Sequence, residues 1–220
     1  MLEQQLASQI RPMQMRDKNE VVSVHLASFQ GFFLTFLGRQ FLSELYAAIV
    51  DDATGVAFVC SEGARVLGFV AGTSQPAGFY SRLLQRRWWR FGMASLVPIL
   101  KNPLIIPRLL RAFRKPQDVA DRPDIGTLMS IAVSPDSQGR GIGQSLVKAF
   151  LEEAAKRGLK YVNLTTDKNN NDSVNQFYQR LGFRCARTFV TSEGREMNEY
   201  VIATQHGKGG DSVYVPRLHF

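Results

Sequence analysis

Residues 130–146, Ser-Ile-Ala-Val-Ser-Pro-Asp-Ser-Gln-Gly-Arg-Gly-Ile-Gly-Gln-Ser-Leu, constrain the fold more than any other stretch. An apolar, β-branched run stops at Ser134-Pro135, three glycines follow at alternate positions, and Leu146, Val147, Phe150 and Leu151 then recur at helical spacing. The order is strand, polar turn, helix. Glycines let backbone N–H groups face a ligand with no Cβ in the way, and a helix that starts there adds its positive end. Phosphate or pyrophosphate is the guest such a loop suits. Two other phosphate loops do not match: Gly143 is followed by Gln144-Ser145 and not by Lys-Ser/Thr, and glycines at 139, 141 and 143 do not give GxGxxG. Three glycines alone are equally compatible with a turn that binds nothing.

A second segment decides between these readings. Residues 171–183, Asn-Asp-Ser-Val-Asn-Gln-Phe-Tyr-Gln-Arg-Leu-Gly-Phe, read as a short helix closed by Gly182 and opening a strand. Together, Gln138-x-x-Gly141-x-Gly143 and Asn171-x-x-Val174-x-x-Phe177-Tyr178-x-x-x-Gly182-Phe183 resemble the GNAT family of acyl-CoA-dependent N-acetyltransferases. The resemblance covers residues 125–190, extends more loosely over 10–73, and is absent over 74–124. It implies an α/β fold: a mixed, mostly antiparallel sheet with splayed central parallel strands, flanked by helices, to which residues 74–124, too long for a structureless loop in a compact domain, would add a basic helical insertion. It also implies acetyl-CoA, or another acyl-CoA, as cofactor. Backbone N–H groups of Gly139, Arg140, Gly141, Ile142 and Gly143 would hold the pyrophosphate, with Gln138 and Arg140 contributing side chains and Gln144 and Ser145 at the helix start. Main-chain groups of the strand ending Ile131-Ala132-Val133 would pair with the pantetheine amides where that strand parts from residues 161–166. Asn171 would contact the cofactor. Tyr178 would touch it too and serve as the catalytic acid, a phenol that stays protonated at neutral pH and faces the departing thiolate.

The acceptor is an amine that must lose a proton. Many members of the resembled family carry a Glu near the position of Thr127 or Met129, and residues 126–130, Gly-Thr-Leu-Met-Ser, hold no carboxylate. A water relay, Asp124, Glu44, His25 or Glu199 are the alternatives. A lysine-type amine, at a pKa of about 10.4, would need more help than an amino sugar, which tilts the acceptor toward a small molecule or sugar amine. Phe29, Phe32 and Phe33 lie in a helix-to-helix connection that walls the acceptor pocket in the resembled family; packing in the core is their other reading. No His, Cys, Asp or Glu cluster has metal spacing. The expectation is therefore an N-acetyltransferase acting by direct transfer in a ternary complex. Its rival is a CoA-binding module without turnover that works as a docked interaction protein.

At 220 residues the chain fits one domain, residues 1–220, with an insertion at 74–124 and a tail at 204–220. Two amphipathic helices are expected in the insertion, one using Phe79, Leu83, Leu84, Trp88, Phe91 and Leu96, the other Leu104, Ile105, Leu109, Leu110 and Phe113. The net charge of +8 is concentrated there: residues 81–115 hold nine of the 27 basic residues and none of the 19 acidic ones. That segment reads either as a helical cap with solvated arginines or as a surface docking an anionic membrane or an acidic carrier. Nucleic acid is disfavoured, since no binding module accompanies the charge. Cys60 and Cys185 sit in strand-like apolar runs and are expected buried and reduced, as in a cytoplasmic protein. No stretch reads as a transmembrane span, and the oligomeric state, a dimer included, stays open.

Overall fold

The computed structural model describes residues 9–29, 33–101 and 122–205. Among them seven strands form one sheet: β1 (Ile10–Pro12), β2 (Gly55–Glu62), β3 (Arg65–Thr73), β4 (Ile125–Val133), β5 (Tyr161–Asp167), β6 (Arg184–Val190) and β7 (Glu196–Ala203). Their order is β1-β2-β3-β4-β5-β7-β6, and every neighbouring pair is antiparallel except β4 and β5. The helices are α1 (Lys18–Ser28), α2 (Phe33–Phe36), α3 (Gly38–Asp51), α4 (Phe79–Lys101), α5 (Ile142–Lys156) and α6 (Asp172–Arg180). This is the expected mixed, mostly antiparallel architecture with helices on both faces.

Each face of the sheet has its own buried cluster. On one, α1, α3 and α4 bring Val21, Leu42, Tyr46, Phe79 and Phe91 against Phe69 and Ala71 of β3. On the other, Leu146, Val147 and Phe150 of α5 and Tyr178 of α6 pack with Leu67, Val70, Leu164 and Tyr200. Because β3 is covered on both sides, its sequence is a nearly continuous apolar run. The approach of α5 is close: a Cβ at Gly72 would lie 2.9 Å from the Phe150 ring and 2.1 Å from the Thr127 carbonyl, so only glycine fits.

Local expectations hold with instructive exceptions. Asp17 stands at the N-cap position of α1 without capping it by its side chain, which accepts the Gln14 N–H at 2.8 Å and the Arg11 guanidinium at 2.6 and 2.8 Å and closes the 3₁₀ turn Met15–Asp17 ahead of the helix. Cys60 is buried as expected. Cys185 is exposed, because β6 is the outer strand of the sheet and is thinly covered on both faces. In α4, Phe79, Leu83 and Phe91 point inward, whereas Trp88, expected beside them, is 72 % exposed. The backbone leaves helical geometry at Arg87 (φ −134°, ψ 27°), which shifts the register of the second half.

The arginines of α4 are not simply solvated. Arg82 donates to the carbonyls of Gln75 (2.8 Å) and Ala77 (2.5 Å), Arg86 pairs with Asp52 (3.4 Å), Arg87 with Glu44 (3.4 Å) and Asp51, and Arg90 with Glu44 (3.7 Å). They tie α4 to α3 and to the turns beside it. Trp88, Trp89 and Met93 remain exposed on the outer side. The second helix expected in the insertion and residues 206–220 of the tail lie outside the described residues. Among those described, no helix is long and apolar enough to cross a membrane.

Candidate active site

The parallel strands part early. β4 and β5 pair at Ile125↔Tyr161, Gly126↔Val162 and Thr127↔Asn163, and beyond that rung they separate. β4 stays paired with β3 as far as Val133, with a register shift opposite Ala71/Gly72 that leaves Met129 as the extra, bulged residue. A bulge bends its strand, and here the bend falls directly after the last rung shared with β5. The Ser134 N–H bonds the Leu67 carbonyl at 2.8 Å. By the alternation of an antiparallel ladder, Ala132 and Ser130 then direct their main-chain groups at β3, while Ile131 and Val133 present theirs to the gap. The Ser28 hydroxyl at the end of α1 donates to the Val133 carbonyl at 3.2 Å, and Gln138 Nε2 approaches it at 3.4 Å. That contact brings Phe29 to this end of the strand. Phe32 lies outside the described residues, as does the side chain of Phe33, whose backbone opens α2.

The glycine loop follows without interruption. Gly139 (φ +77°) and Gly141 (φ +79°) occupy the left-handed region, which is why glycine stands at both. α5 starts after Gly141, no side chain caps it, and its first internal bond is the Ser145 N–H to the Gly141 carbonyl at 3.1 Å. The N–H groups of Ile142, Gly143 and Gln144 therefore have no partner within the helix. With the helix dipole behind them, N–H groups left open in this way are the arrangement that attracts an anion. Around it, Arg140 is held by Glu62 (2.8 Å), Asp136 by Arg65, and the Ser145 hydroxyl donates to the Gly141 carbonyl at 3.2 Å.

Tyr178 sits on the inner side of α6, 5 % exposed, with the rings of Phe177, Phe183 and Tyr200 at 5.2, 5.5 and 6.1 Å. Burial pushes its phenol up to about 12. Among the described residues none hydrogen-bonds its hydroxyl. Asn171 donates to Thr166 Oγ1 (2.8 Å) and the Asp167 carbonyl (3.0 Å), so it braces the turn between β5 and α6. Asn175 was missed by sequence reasoning. It is buried, donates to the carbonyls of Asp167 (3.0 Å) and Asn171 (2.9 Å), and accepts from the Tyr200 hydroxyl (3.0 Å) and Asn198 Nδ2 (3.1 Å). It thus fixes α6, and Tyr178 with it, to the sheet. The available signal was an amide three residues before Tyr178, on the apolar face of the helix.

Each of the four proton acceptors considered from the sequence already has a partner. Asp124 pairs with Arg122 at the opposite end of β4 from the loop, and Glu44 with Arg87 and Arg90. Buried His25 bonds the Tyr46 hydroxyl at 2.7 Å through Nδ1, and burial lowers it to about 4. Buried Glu199 lies between Asn163 (2.9 Å) and Arg187 (2.6 Å). A cavity of about 620 Å³ opens elsewhere, at the β1–β2 edge, and meets this constellation only at Ser145.

Residues 24–183 match the family model described as the Acetyltransferase (GNAT) family. The mycothiol acetyltransferase of Rhodococcus jostii (strain RHA1) is 41 % identical over 70 residues, 32 % of this chain and 23 % of that protein. The [ribosomal protein bS18]-alanine N-acetyltransferase of Escherichia coli (strain K12) is 35 % identical over 77 residues, 33 % of this chain and 51 % of that protein. The match thus spans from about a quarter to half the length of these curated relatives. The crystal structure of an aminoglycoside 6′-N-acetyltransferase complexed with coenzyme A superposes with a TM-score of 0.55 at 13 % identity, over 88 % of this chain and 96 % of that one, a likeness of fold. Strand order, parted central strands, uncapped glycine loop and sequence match agree, and the chain belongs to the GNAT acetyltransferase family.

Proposed function

We propose that the protein transfers an acetyl or short acyl group from acyl-CoA to a primary amine, a small molecule or amino sugar, directly within a ternary complex. One observation carries the cofactor part: an uncapped helix N-terminus continues, through the glycine loop, from a strand whose edge is unpaired beyond Thr127. The first suits a pyrophosphate and the second an arm of amides, and coenzyme A joins the two in that order. Residues 139–143 supply N–H groups to the phosphates, with Gln138, Arg140, Gln144 and Ser145 at the rim. Ile131 and Val133 bond the pantetheine, with Ala132 between them, and the arm ends beside the acyl carbonyl. Asn171 keeps the β5–α6 turn in position to meet it.

Tyr178 faces the departing sulfur in this reading. With its phenol at about 12 and an ordinary thiol near 8.5, full proton transfer to free thiolate runs uphill. The productive role is a hydrogen bond to sulfur as charge develops, completed by solvent. The amine loses its proton to water, since Asp124, Glu44 and Glu199 are already paired and burial makes His25 a weak base, at about 4. An acceptor with an amine of lower pKa than lysine follows from that. The two relatives, one named for mycothiol and one for an alanine of a ribosomal protein, leave the acceptor class open.

Thiol release from acetyl-CoA, measured across amines of graded pKa at fixed pH, tests the proposal. Turnover should rise as amine pKa falls toward neutrality, with amino sugars ahead of lysine peptides. Coenzyme A that binds while no amine releases thiol would favour the CoA-binding module without turnover.

A further inference from the structure

The last rung before the strands part carries an unusual set of side chains. Leu128, Val162, Leu164 and Tyr200 all belong to the cluster under α5 and α6. By strand alternation, Thr127, Asn163 and Glu199 therefore share the opposite face. On that face the Thr127 hydroxyl donates to Asn163 Oδ1 at 2.6 Å, Asn163 Nδ2 donates to Glu199 Oε1 at 2.9 Å, and Arg187 Nε donates to Glu199 Oε2 at 2.6 Å. The chain crosses β4, β5, β7 and β6 in turn. Asn163 and Glu199 are 5 % and 4 % exposed.

Such a chain is costly to bury, and an apolar set of similar volume would hold a sheet together at least as well. Its placement is what distinguishes it. Asn163 and Thr127 form the final β4–β5 pair, and the bulge at Met129 turns β4 away immediately afterwards. One rung is locked from the side chains while the next is released. The donor directions are also fixed: a carboxylate at 199 orients the Asn163 amide, and only that orientation leaves Oδ1 to receive Thr127.

We propose that Thr127, Asn163, Glu199 and Arg187 form a clamp that sets where the β4–β5 wedge begins, making them positioning residues for the pantetheine arm of acyl-CoA. This rests on the cofactor reading given under Proposed function. The loop that meets the phosphates lies beyond the far end of β4, so the clamp acts on the arm and not on the diphosphate.

Calorimetric titration with two ligands tests this: coenzyme A, and 3′-phosphoadenosine 5′-diphosphate, which keeps the diphosphate and lacks the arm. Thr127→Val, nearly isosteric, should weaken coenzyme A about tenfold, the scale of one well-made hydrogen bond, and leave the fragment unchanged. Glu199→Gln, which turns an amide donor toward one of two donors, should produce the same selective loss. Thr127→Ser should restore wild-type affinity. Thermal unfolding of each variant shows whether the fold persists; should Glu199→Gln not fold, Thr127→Val decides. Unchanged coenzyme A affinity, parallel loss of both ligands, or failure of Thr127→Ser to rescue overturns the clamp. Wild-type protein that binds neither ligand overturns the cofactor reading, and the clamp falls with it.

Discussion

The loop end of β4 and the flank formed by α3 and α4 handle polar groups in opposite ways. At the loop, Ile142, Gly143 and Gln144 begin a fifteen-residue helix with N–H groups that no side chain caps. At the flank, Arg82, Arg86, Arg87 and Arg90 all have partners inside the domain. The flank is the more conspicuous region in the sequence, since it holds the excess positive charge. The loop is where backbone N–H groups at a helix start have unmet hydrogen-bonding capacity. Charge density therefore says where the surface is basic, and unsatisfied backbone says where a ligand is expected.

The largest expected effect strikes the loop. Gly141 stands at φ +79°, a conformation that costs a non-glycine residue roughly 1–2 kcal/mol and a β-branched one more. Gly141→Val should relieve that strain by redirecting the N–H groups and lower acyl-CoA affinity on the order of 10³-fold, about 4 kcal/mol, with the circular dichroism spectrum preserved. Calorimetry reads the affinity. Wild-type binding in this variant would erase the contrast between the two regions.

On the helical flank two buried side-chain atoms do go without, Arg82 Nε and His25 Nε2, although the Arg82 Nη groups are bonded and His25 Nδ1 meets Tyr46. Burial holds the imidazole neutral down to about 4, against 6.5 in an unfolded chain. The unfolded state takes up the proton first, so the stabilisation is complete above pH 6.5 and is lost as pH falls through 4. The difference amounts to roughly 3 kcal/mol. Urea midpoints at pH 7, 5.5 and 4 should fall accordingly in the wild type. His25→Gln, less stable at pH 7, should show a shallower fall; equal slopes would mean that other groups govern acid unfolding.

Local patterns made the loop, α5, α6 and the strand that runs into the loop legible, because glycine spacing and apolar periodicity act over a few residues. The parting of β4 from β5 came from family resemblance, and the bulge at Met129 that accompanies it has no mark in the sequence. Trp88 was misplaced because a break at Arg87 resets helical phase, and Cys185 because strand position in the sheet, edge or centre, is a non-local property. Asn163 and Glu199 stand 36 residues apart and meet only through the β5–β7 pairing. The acids that hold the α4 arginines are 34 to 46 positions away from them. Pairings of that range depend on the finished fold.

A smaller effect bears on the chemistry beside the loop. Tyr178→Phe removes one hydroxyl and leaves the ring packing with Phe183 and Tyr200 in place. kcat should fall about 10²-fold with little change in acyl-CoA affinity. Because the phenol is raised to about 12, the alkaline limb of the kcat profile should not reflect this group up to pH 10. Undiminished turnover would remove Tyr178 from the mechanism and leave the loop as a binding feature only.

The smallest effect belongs to the flank, where Arg87 contacts both Glu44 and Asp51 from a side chain only 18 % exposed. Partial burial makes this pair stronger than an open surface bridge, yet solvent still screens it. Arg87→Ala should cost about 1 kcal/mol, a few degrees in Tm, and Arg90→Ala less, because Arg90 reaches Glu44 at 3.7 Å with its side chain 46 % exposed. Both losses should shrink in 1 M salt while acyl-CoA affinity stays at the wild-type value. If Arg87→Ala instead weakens acyl-CoA binding and leaves Tm alone, the arginines of α4 serve the ligand and not the domain, and the division between an open loop and a closed flank is wrong.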